Sequence, residues 1–168
     1  MKILVVSQYY APEPFRVTDV CRDLVERGHE VTVLCGIPNY PSGRFYPGYS
    51  LFKRRREMLD GVRVERAWLI PRGKGGALGL SANYLSFLFS TWFRHFRLAR
   101  RGFDVVFCYE VSPLTMAIPA VAVARRACIP LTLYLTDLWP ENVEAVNGIQ
   151  SPRILAAIGR MAAWIYRQ

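Results

Sequence analysis

Two short apolar runs on either side of a helical pattern constrain the fold of this chain more than any other feature. Residues 3–6 and 29–35 are rich in apolar, branched side chains, which is typical of strands buried on both faces of a parallel sheet. Between them, apolar residues recur at the spacing of one helix face, and Gly28 ends the pattern: Val17, Val20, Cys21, Leu24 and Val25. A right-handed crossover then places the loop 8–16 at the carboxyl edge of the sheet, where such sheets bind ligands.

The same kind of pattern continues along the chain. Residues 104–110 and 130–135 predict two more buried strands, separated by a mostly apolar helix over 113–127 in which Pro119 is a candidate kink. Residues 62–70 alternate like a strand at a sheet edge or with one exposed face, and they follow a turn signal at Asp60-Gly61. The predicted fold class is α/β, with a doubly wound, mainly parallel sheet.

Charge is the unusual part of the composition. The 168 residues are 52% apolar and 21% charged, an ordinary globular balance that fits one domain over 1–168. The net charge is +9, mostly from arginine, which favours planar contacts with phosphate or carboxylate. A polyanionic partner is therefore expected, whether membrane lipid, sugar phosphate or nucleic acid.

The four cysteines are widely spaced, each inside an apolar segment, and none forms a C-x-x-C pair: Cys21, Cys35, Cys108 and Cys128. They are predicted to be reduced core residues, with no metal site. A reducing compartment and no secretory signal are expected, because the first residues run directly into an apolar strand.

Residues 36–49 are dense in proline, glycine and aromatic side chains. A loop of this length in a compact domain is often functional, and Tyr40 and Tyr49 offer stacking surfaces. The alternative is a packed surface loop, and the sequence leaves both open.

Residues 75–93 carry no charge but fall short of a membrane span, because serines, an asparagine and three glycines interrupt them. One apolar stripe runs through the segment and predicts an amphipathic helix that packs on the sheet: Leu85, Leu88, Phe89, Trp92, Phe93 and Phe96. Arginines crowd its carboxyl end and favour an additional contact with anionic lipid. The candidate membrane residues are Trp92, Phe93, Arg94, Arg97 and Arg101.

Three polar clusters, at 8–16, 110–112 and 136–141, should converge at the carboxyl edge if the strands are parallel neighbours. The dinucleotide and P-loop signatures are absent, and no Ser-His or Cys-His pairing is visible. Asp137 is the candidate general base, because it follows a buried strand and Trp139 beside it can raise its pKa. The alternative is that Asp137 caps a helix or pairs with an arginine.

Four segments carry a resemblance to a known family. They are the opening MKILVVSQYYAPE, RGHEVTVL at 27–34, Asn39-Tyr-Pro41 with Gly43, and Asp137-Leu-Trp-Pro-Glu141. Together they resemble the amino-terminal half of retaining GT-B glycosyltransferases of family 4. The resemblance is to the bacterial branch that builds O-antigen, colanic acid and capsule, which includes fucosyl- and N-acetylfucosaminyl-transferases.

The resemblance implies a Rossmann-like domain that binds the acceptor, expected to be a lipid-linked sugar. A separate carboxyl-terminal domain would bind the nucleotide-sugar donor. That domain is expected beyond residue 168, because the helix that begins at Ser151 has no stop signal. The fragment alone is expected to be inactive, with no metal or cofactor, and to lie on the inner face of the bacterial plasma membrane.

The implied catalytic residue is Asp137, although in a front-face mechanism the leaving phosphate itself can take the acceptor's proton. Where the family often has a glycine pair, this chain has Pro14-Phe15-Arg16, so Arg16 is expected to neutralise phosphate. The candidate substrate-binding residues are Arg16, Phe15, Tyr9, Asn39, Tyr40, Glu110, Trp139 and Glu141.

Two alternatives to the complete enzyme remain. One is a non-catalytic basic module that anchors to membranes or binds nucleic acid, although the scattered basic residues match no nucleic-acid motif and no nucleic-acid partner is expected. The other is an acceptor-binding module that works with a separate donor-binding subunit.

Overall fold

The computed structural model describes residues 1–139 and 151–168. Six strands form one sheet in the order β3-β4-β2-β1-β5-β6. All neighbours are parallel except β3 and β4, which confirms the predicted α/β class. The strands are β1 (Lys2–Val6), β2 (Glu30–Gly36), β3 (Arg56–Leu59), β4 (Val62–Ala67), β5 (Val105–Glu110) and β6 (Leu131–Leu135).

The centre of the sheet is β1, which pairs with β2 on one side and β5 on the other. Its apolar run is buried from Ile3 to Val6, as a strand covered on both faces requires. The chain moves outward in one direction from β1 to β2 and in the other direction from β5 to β6. The carboxyl ends of β1 and β5 therefore flank the point where the strand order reverses, the usual ligand position in such sheets.

Helices cover both faces of the sheet. The helix α1 (Val17–Glu26) packs over one face, where Val5, Val33 and Val64 form a core. The other core contains Leu4, Phe87 and Leu98. Its helices are α2 (Ala77–Trp92), α3 (His95–Leu98), α4 (Ala117–Ala127) and α5 (Pro152–Tyr166).

The predicted helix over 113–127 is divided. A 3₁₀ turn at Leu114–Met116 precedes α4, and Pro119 lies in the first turn of α4. Proline is tolerated there because the first N–H groups of a helix have no intrahelical acceptor. At the other end of the described chain, Ser151 and Pro152 begin α5 as predicted.

The turn at Asp60-Gly61 is confirmed as the connection of a hairpin, with φ of 49° and 77°. The predicted edge position of the strand that follows is wrong. The edge strand is β3, and β4 lies between β3 and β2. Arg63 is the one exposed residue of β4. The alternation was misleading because Glu65 and Arg66 are charged and yet buried.

Cys21, Cys35 and Cys108 are buried, as predicted, but Cys128 is exposed. It ends α4 with a left-handed φ of 54°, so its environment is a helix terminus and the core prediction was wrong for this residue. Within 1–139 and 151–168, no helix combines the length and the apolar character that crossing a bilayer requires.

Candidate functional site

Aromatic rings and one arginine cluster in the loops that follow β1, β2 and β4. The rings of Tyr9 and Phe15 stack at 4.7 Å between centroids, and the Tyr40 ring lies 5.2 Å from Phe15. The Arg72 guanidinium lies over the rings of Tyr40 and Tyr9 at 5.0 and 5.5 Å, and its Nη2 donates to the Tyr9 hydroxyl at 2.6 Å. Three of the predicted substrate-binding residues are thus brought together, with an arginine that the sequence patterns did not single out.

Glu13 holds two of these loops together. Its carboxylate is buried and accepts the backbone N–H groups of Tyr10, Asn39 and Tyr40 at 3.2, 2.8 and 2.8 Å. Burial raises the pKa of Glu13 to about 7, against the lowering effect of these donors. Glu13 was missed in the sequence, although a carboxylate between two prolines in the loop after the first strand is a signal for it.

Asn39 is fully buried, and its side chain organises the site from inside. Its Oδ1 accepts from the Arg72 backbone N–H at 3.2 Å and from Asn83 Nδ2 at 3.3 Å. Asn83 Oδ1 in turn accepts from Gln8 Nε2 at 2.7 Å. A chain of buried amides therefore links α2 to the loops after β1 and β2.

Arg66 is a second buried organiser that the sequence did not reveal. Its side chain is 0% exposed and pairs with Glu57, with 2.7 Å between Nη2 and Oε1. The same nitrogen donates to the carbonyl of Ala11 at 2.6 Å, and Nη1 donates to that of Gly36 at 3.3 Å. The arginine thereby ties the loop after β1 to β2 and to the edge hairpin.

The clusters after β5 and β6 also meet, as predicted. The Ser112 hydroxyl donates to Asp137 Oδ2 at 2.7 Å, and Thr136 Oγ1 donates to the Glu110 carbonyl at 2.9 Å. Ser112 has φ of 89°, an unfavourable value for a residue with a side chain, and its N–H donates to Glu110 Oε1 at 2.8 Å. The strained turn fixes both carboxyl groups at one edge.

Glu110 is fully buried, and its Oε2 has no hydrogen-bond partner among the described residues. Burial, with the nearby charge of Asp137, raises the pKa of Glu110 to about 7. Asp137 is partly exposed, and its observed hydrogen-bond partner is a serine hydroxyl, where the alternative expectation was a helix cap or an arginine.

The other predicted substrate-binding residues are placed differently. Arg16 is exposed at the start of α1. Burial raises the pKa of Tyr109 at the end of β5, and the charge of Arg16 opposes that shift. Trp139 packs on the core beside α5, and its N–H donates to the Tyr166 hydroxyl at 3.1 Å. Glu141 lies outside the described residues.

The helix α2 turns mostly polar residues and Phe87 inward, so the predicted packing of the apolar stripe on the sheet is wrong. Asn83, Ser86 and Ser90 are buried because they bond the chain that continues from β4: Asn83 Nδ2 and Ser90 Oγ donate to the carbonyls of Ile70 and Trp68, and Ser86 Oγ accepts from the Ile70 N–H. Most of the predicted stripe is exposed: Leu85 59%, Phe89 59%, Trp92 43%, Phe93 62% and Phe96 45%.

The arginines after α2 are partly engaged inside the protein. Arg97 Nη2 and Arg101 Nη1 pair with the buried Glu65 carboxylate at 2.8 and 2.6 Å. Arg94 Nη2 donates to the carbonyl of Arg66 at 3.1 Å, and burial lowers the pKa of Arg94 to about 10. Two arginines share one carboxylate, and Arg94 lies near them, so the positive charge of this cluster exceeds its negative charge.

An open depression of about 390 Å³ lies at the opposite, amino edge of the sheet, away from the aromatic cluster and the carboxyl pair. Its lining contains none of the predicted site residues: Met1, Lys2, Gly28, Glu30, Gly102 and Asp104. Among the residues with described structure, no three His, Cys, Asp or Glu side chains are grouped to hold a metal ion.

The doubly wound sheet, with polar loops gathered where its strand order reverses, defines a Rossmann-like ligand-binding domain. Residues 15–168 match the glycosyl transferase 4-like domain, so the chain belongs to that family. Membership indicates a role in glycosyl transfer. No curated protein matches the chain.

Two crystal structures of the C-terminal domain of a hydrogenase from Pyrococcus furiosus are similar in fold. Both are 18% identical in sequence, with TM-scores of 0.51 and 0.50. The first comparison covers 80% of this chain and 90% of the other, and the second covers 79% and 90%. At this identity the likeness shows the fold alone.

Proposed function

We propose that this chain is the acceptor-binding half of a retaining glycosyltransferase that moves a sugar from a nucleotide-sugar to a lipid-linked saccharide. The proposed setting is bacterial surface polysaccharide synthesis, in the branch that makes O-antigen, colanic acid and capsule. The observation that carries the proposal is the inverted helix α2, which exposes its apolar face beside loops suited to holding a sugar.

The apolar face of α2 needs a partner, because a contiguous exposed apolar surface is unusual on a soluble domain. Leu78, Phe89 and Phe93 are 89%, 59% and 62% exposed. The helix is not held by that face, since its buried side is secured by hydrogen bonds to residues 68–70. Burying such a face in the headgroup region of a bilayer stabilises the bound state by roughly 25 cal/mol per Å² of apolar surface removed from water.

The positive charge of the arginines near α2 favours an anionic bilayer as that partner. Arg97 and Arg101 share one carboxylate, and Arg100 and Arg126 are exposed near the same end of the helix. The Arg126 guanidinium lies 4.8 Å from the centroid of the exposed Phe96 ring, so cation and apolar surface are contiguous. Each arginine near an anionic surface contributes on the order of 1 kcal/mol.

Hydrogen bonds connect α2 to the loops of the candidate sugar site. Asn83 of α2 bonds Asn39 and Gln8, whose loops carry Tyr40 and Tyr9. An acceptor whose lipid is in the bilayer at α2 would therefore present its sugar to the aromatic cluster. This proximity supports a lipid-linked acceptor over a freely diffusing one.

Asp137 is the proposed catalytic residue, held by the Ser112 hydroxyl at the carboxyl edge. In a front-face reaction the acceptor oxygen bonds to the anomeric carbon as the bond to the diphosphate breaks, and the acceptor's proton passes to the leaving phosphate. In that reaction Asp137 orients the acceptor hydroxyl. The donor is bound by a second domain, within the same polypeptide or a separate subunit, and the 168 residues alone transfer no sugar.

Vesicle co-sedimentation tests the membrane part of the proposal. The chain should bind anionic vesicles more tightly than neutral ones, and F89S combined with F93S should weaken that binding at least tenfold. I154S is the matched control, since Ile154 is 49% exposed on α5, away from the proposed face. Equal binding to both vesicle types, or equal losses in the variant and the control, would refute the proposal.

Adding a polyprenyl diphosphate-linked sugar to the vesicles tests the enzymatic part. Tighter binding is expected when the sugar is present. If the lipid-linked sugar adds nothing over bare anionic vesicles, the non-catalytic anchoring alternative is favoured. Binding to DNA in preference to anionic vesicles would instead support the nucleic-acid alternative.

A further inference from the structure

We infer that Arg72, held over the rings of Tyr9 and Tyr40, binds the phosphoryl group of the acceptor at the carboxyl edge of the sheet. This inference rests on the proposed function, because it names the part of the lipid-linked acceptor that the aromatic cluster grips. Nothing in the sequence patterns singled out Arg72.

The first observation is that the described residues give the Arg72 cation no carboxylate partner. Five arginines of the described chain pair with a carboxylate: Arg22, Arg27, Arg66, Arg97 and Arg101. Within residues 1–139 and 151–168, Arg72 forms no such ion pair, and its Nε is buried without a hydrogen-bond partner. A partly buried cation is stabilised by an anion, and an unsatisfied buried donor needs an acceptor.

Glu13, the buried acid of these loops, is unsuited to that role. Glu13 already accepts three backbone N–H groups, from Tyr10, Asn39 and Tyr40. Its carboxylate is therefore directed at the backbone. The described residues thus leave a place at the Arg72 guanidinium for an anionic ligand.

The second observation is that Arg72 is fixed in place before any ligand arrives. Its N–H donates to Asn39 Oδ1 at 3.2 Å, and the next residue, Gly73, donates to the carbonyl of Gly43 at 3.0 Å. The approach is close enough that a Cβ on Gly43 would lie 1.7 Å from the Gly73 carbonyl oxygen. Such preorganisation reduces the entropy lost when a ligand binds.

The third observation is the pairing of the guanidinium with aromatic rings. One edge of the Arg72 guanidinium is used by the Tyr9 hydroxyl, which leaves the rest of its planar fork for the oxygens of a phosphoryl group. Phe15 completes the ring cluster and offers an apolar surface for the face of a sugar. A phosphoryl group joined directly to a sugar matches both parts of this surface.

Position relative to α2 favours the acceptor's phosphoryl group over that of the donor. The Arg72 carbonyl lies against the first turn of α2, where a Cβ on Gly79 would be 2.5 Å from it. The exposed apolar face begins at Leu78. A phosphoryl group at the surface of a bilayer under α2 is therefore presented to Arg72.

Binding of a short-chain, water-soluble prenyl diphosphate tests the inference without a membrane. Titration calorimetry should show binding by the wild-type chain and a loss of about tenfold or more in R72M, as expected for removing a charge-assisted pair. R72K keeps the charge and should recover only part of the affinity, because lysine lacks the planar fork. R63M is the matched control, since Arg63 is exposed on β4 away from this edge.

Two further binding measurements distinguish a free diphosphate from a lipid headgroup as the bound anion, and this inference from the membrane proposal. Inorganic diphosphate should bind the wild type more weakly than the prenyl compound does. Loss of this binding in R72M would support the phosphoryl site. If the wild type does not bind anionic phosphatidylglycerol vesicles, the membrane proposal alone is refuted. The Arg72 inference is overturned if the wild type binds no diphosphate, or if R72M and R63M lose affinity equally.

Discussion

Replacing Glu110 with glutamine should remove a pH dependence from the stability of the fold. Burial and the charge of Asp137 raise the pKa of Glu110 from 4.5 to about 7 in the folded chain. Between pH 4.5 and about pH 7, the folded state therefore binds more protons than the unfolded state. The contribution to stability is therefore fully present below about pH 4.5 and is lost as the pH rises through 7.

The magnitude follows from linkage. Between pH 5 and pH 8, a carboxyl group with this shift lowers the free energy of unfolding by roughly 2.5 kcal/mol. In a chain of this size that corresponds to a fall in Tm of about 5 to 10 °C. E110Q keeps an acceptor for the Ser112 N–H but cannot ionise, so it should lack this loss.

Urea denaturation followed by circular dichroism at pH 5, 6, 7 and 8 measures the effect. The difference in unfolding free energy between E110Q and wild type should grow by roughly 2.5 kcal/mol from pH 5 to pH 8 in favour of the variant. E26Q, at the exposed end of α1, is the control, and its unfolding free energy should change with pH as that of the wild type does. Parallel curves for E110Q would refute the assignment of a buried, protonatable carboxyl at this edge.

Two other substitutions test the buried polar organisers by the same denaturation assay. R66M should cost about 3 to 5 kcal/mol, because it leaves Glu57 and the carbonyl of Ala11 without their cation, and a loss under 1 kcal/mol would contradict the described network. N83A should cost about 1 to 3 kcal/mol, because Gln8 and the carbonyl of Ile70 lose their partner, and a neutral result would show that α2 is not held by its polar face.

The elements that depend on local pattern were predictable from the sequence. Strand β1 is a continuous apolar run, the Asp60-Gly61 hairpin has a turn signal of two residues, and α5 begins at Ser151-Pro152. The meeting of Ser112 with Asp137 followed from topology, since parallel neighbours bring their carboxyl ends together. Each of these features is specified by residues close in sequence or by the order of the strands.

The orientation of α2 and the buried charges were not predictable in the same way. Periodicity shows which residues of α2 share a face, but which face meets the sheet was decided by hydrogen bonds from Asn83 and Ser90 to residues 68–70. Arg66 donates to the carbonyl of Ala11, 55 residues away, and Arg72 donates to the hydroxyl of Tyr9, 63 residues away. A single sequence carries no local signal for partners so distant.

The proposed function requires the carboxyl edge of this sheet to bind the sugar of a lipid-linked acceptor. Hydrogen–deuterium exchange of the chain on anionic vesicles, with and without a polyprenyl diphosphate-linked sugar, measures this binding. The lipid-linked sugar should add protection in the loops 8–16 and 37–46, beyond that given by the vesicles alone. Added protection confined to the amino edge around Gly28 and Gly102, or no added protection, would contradict the proposed function.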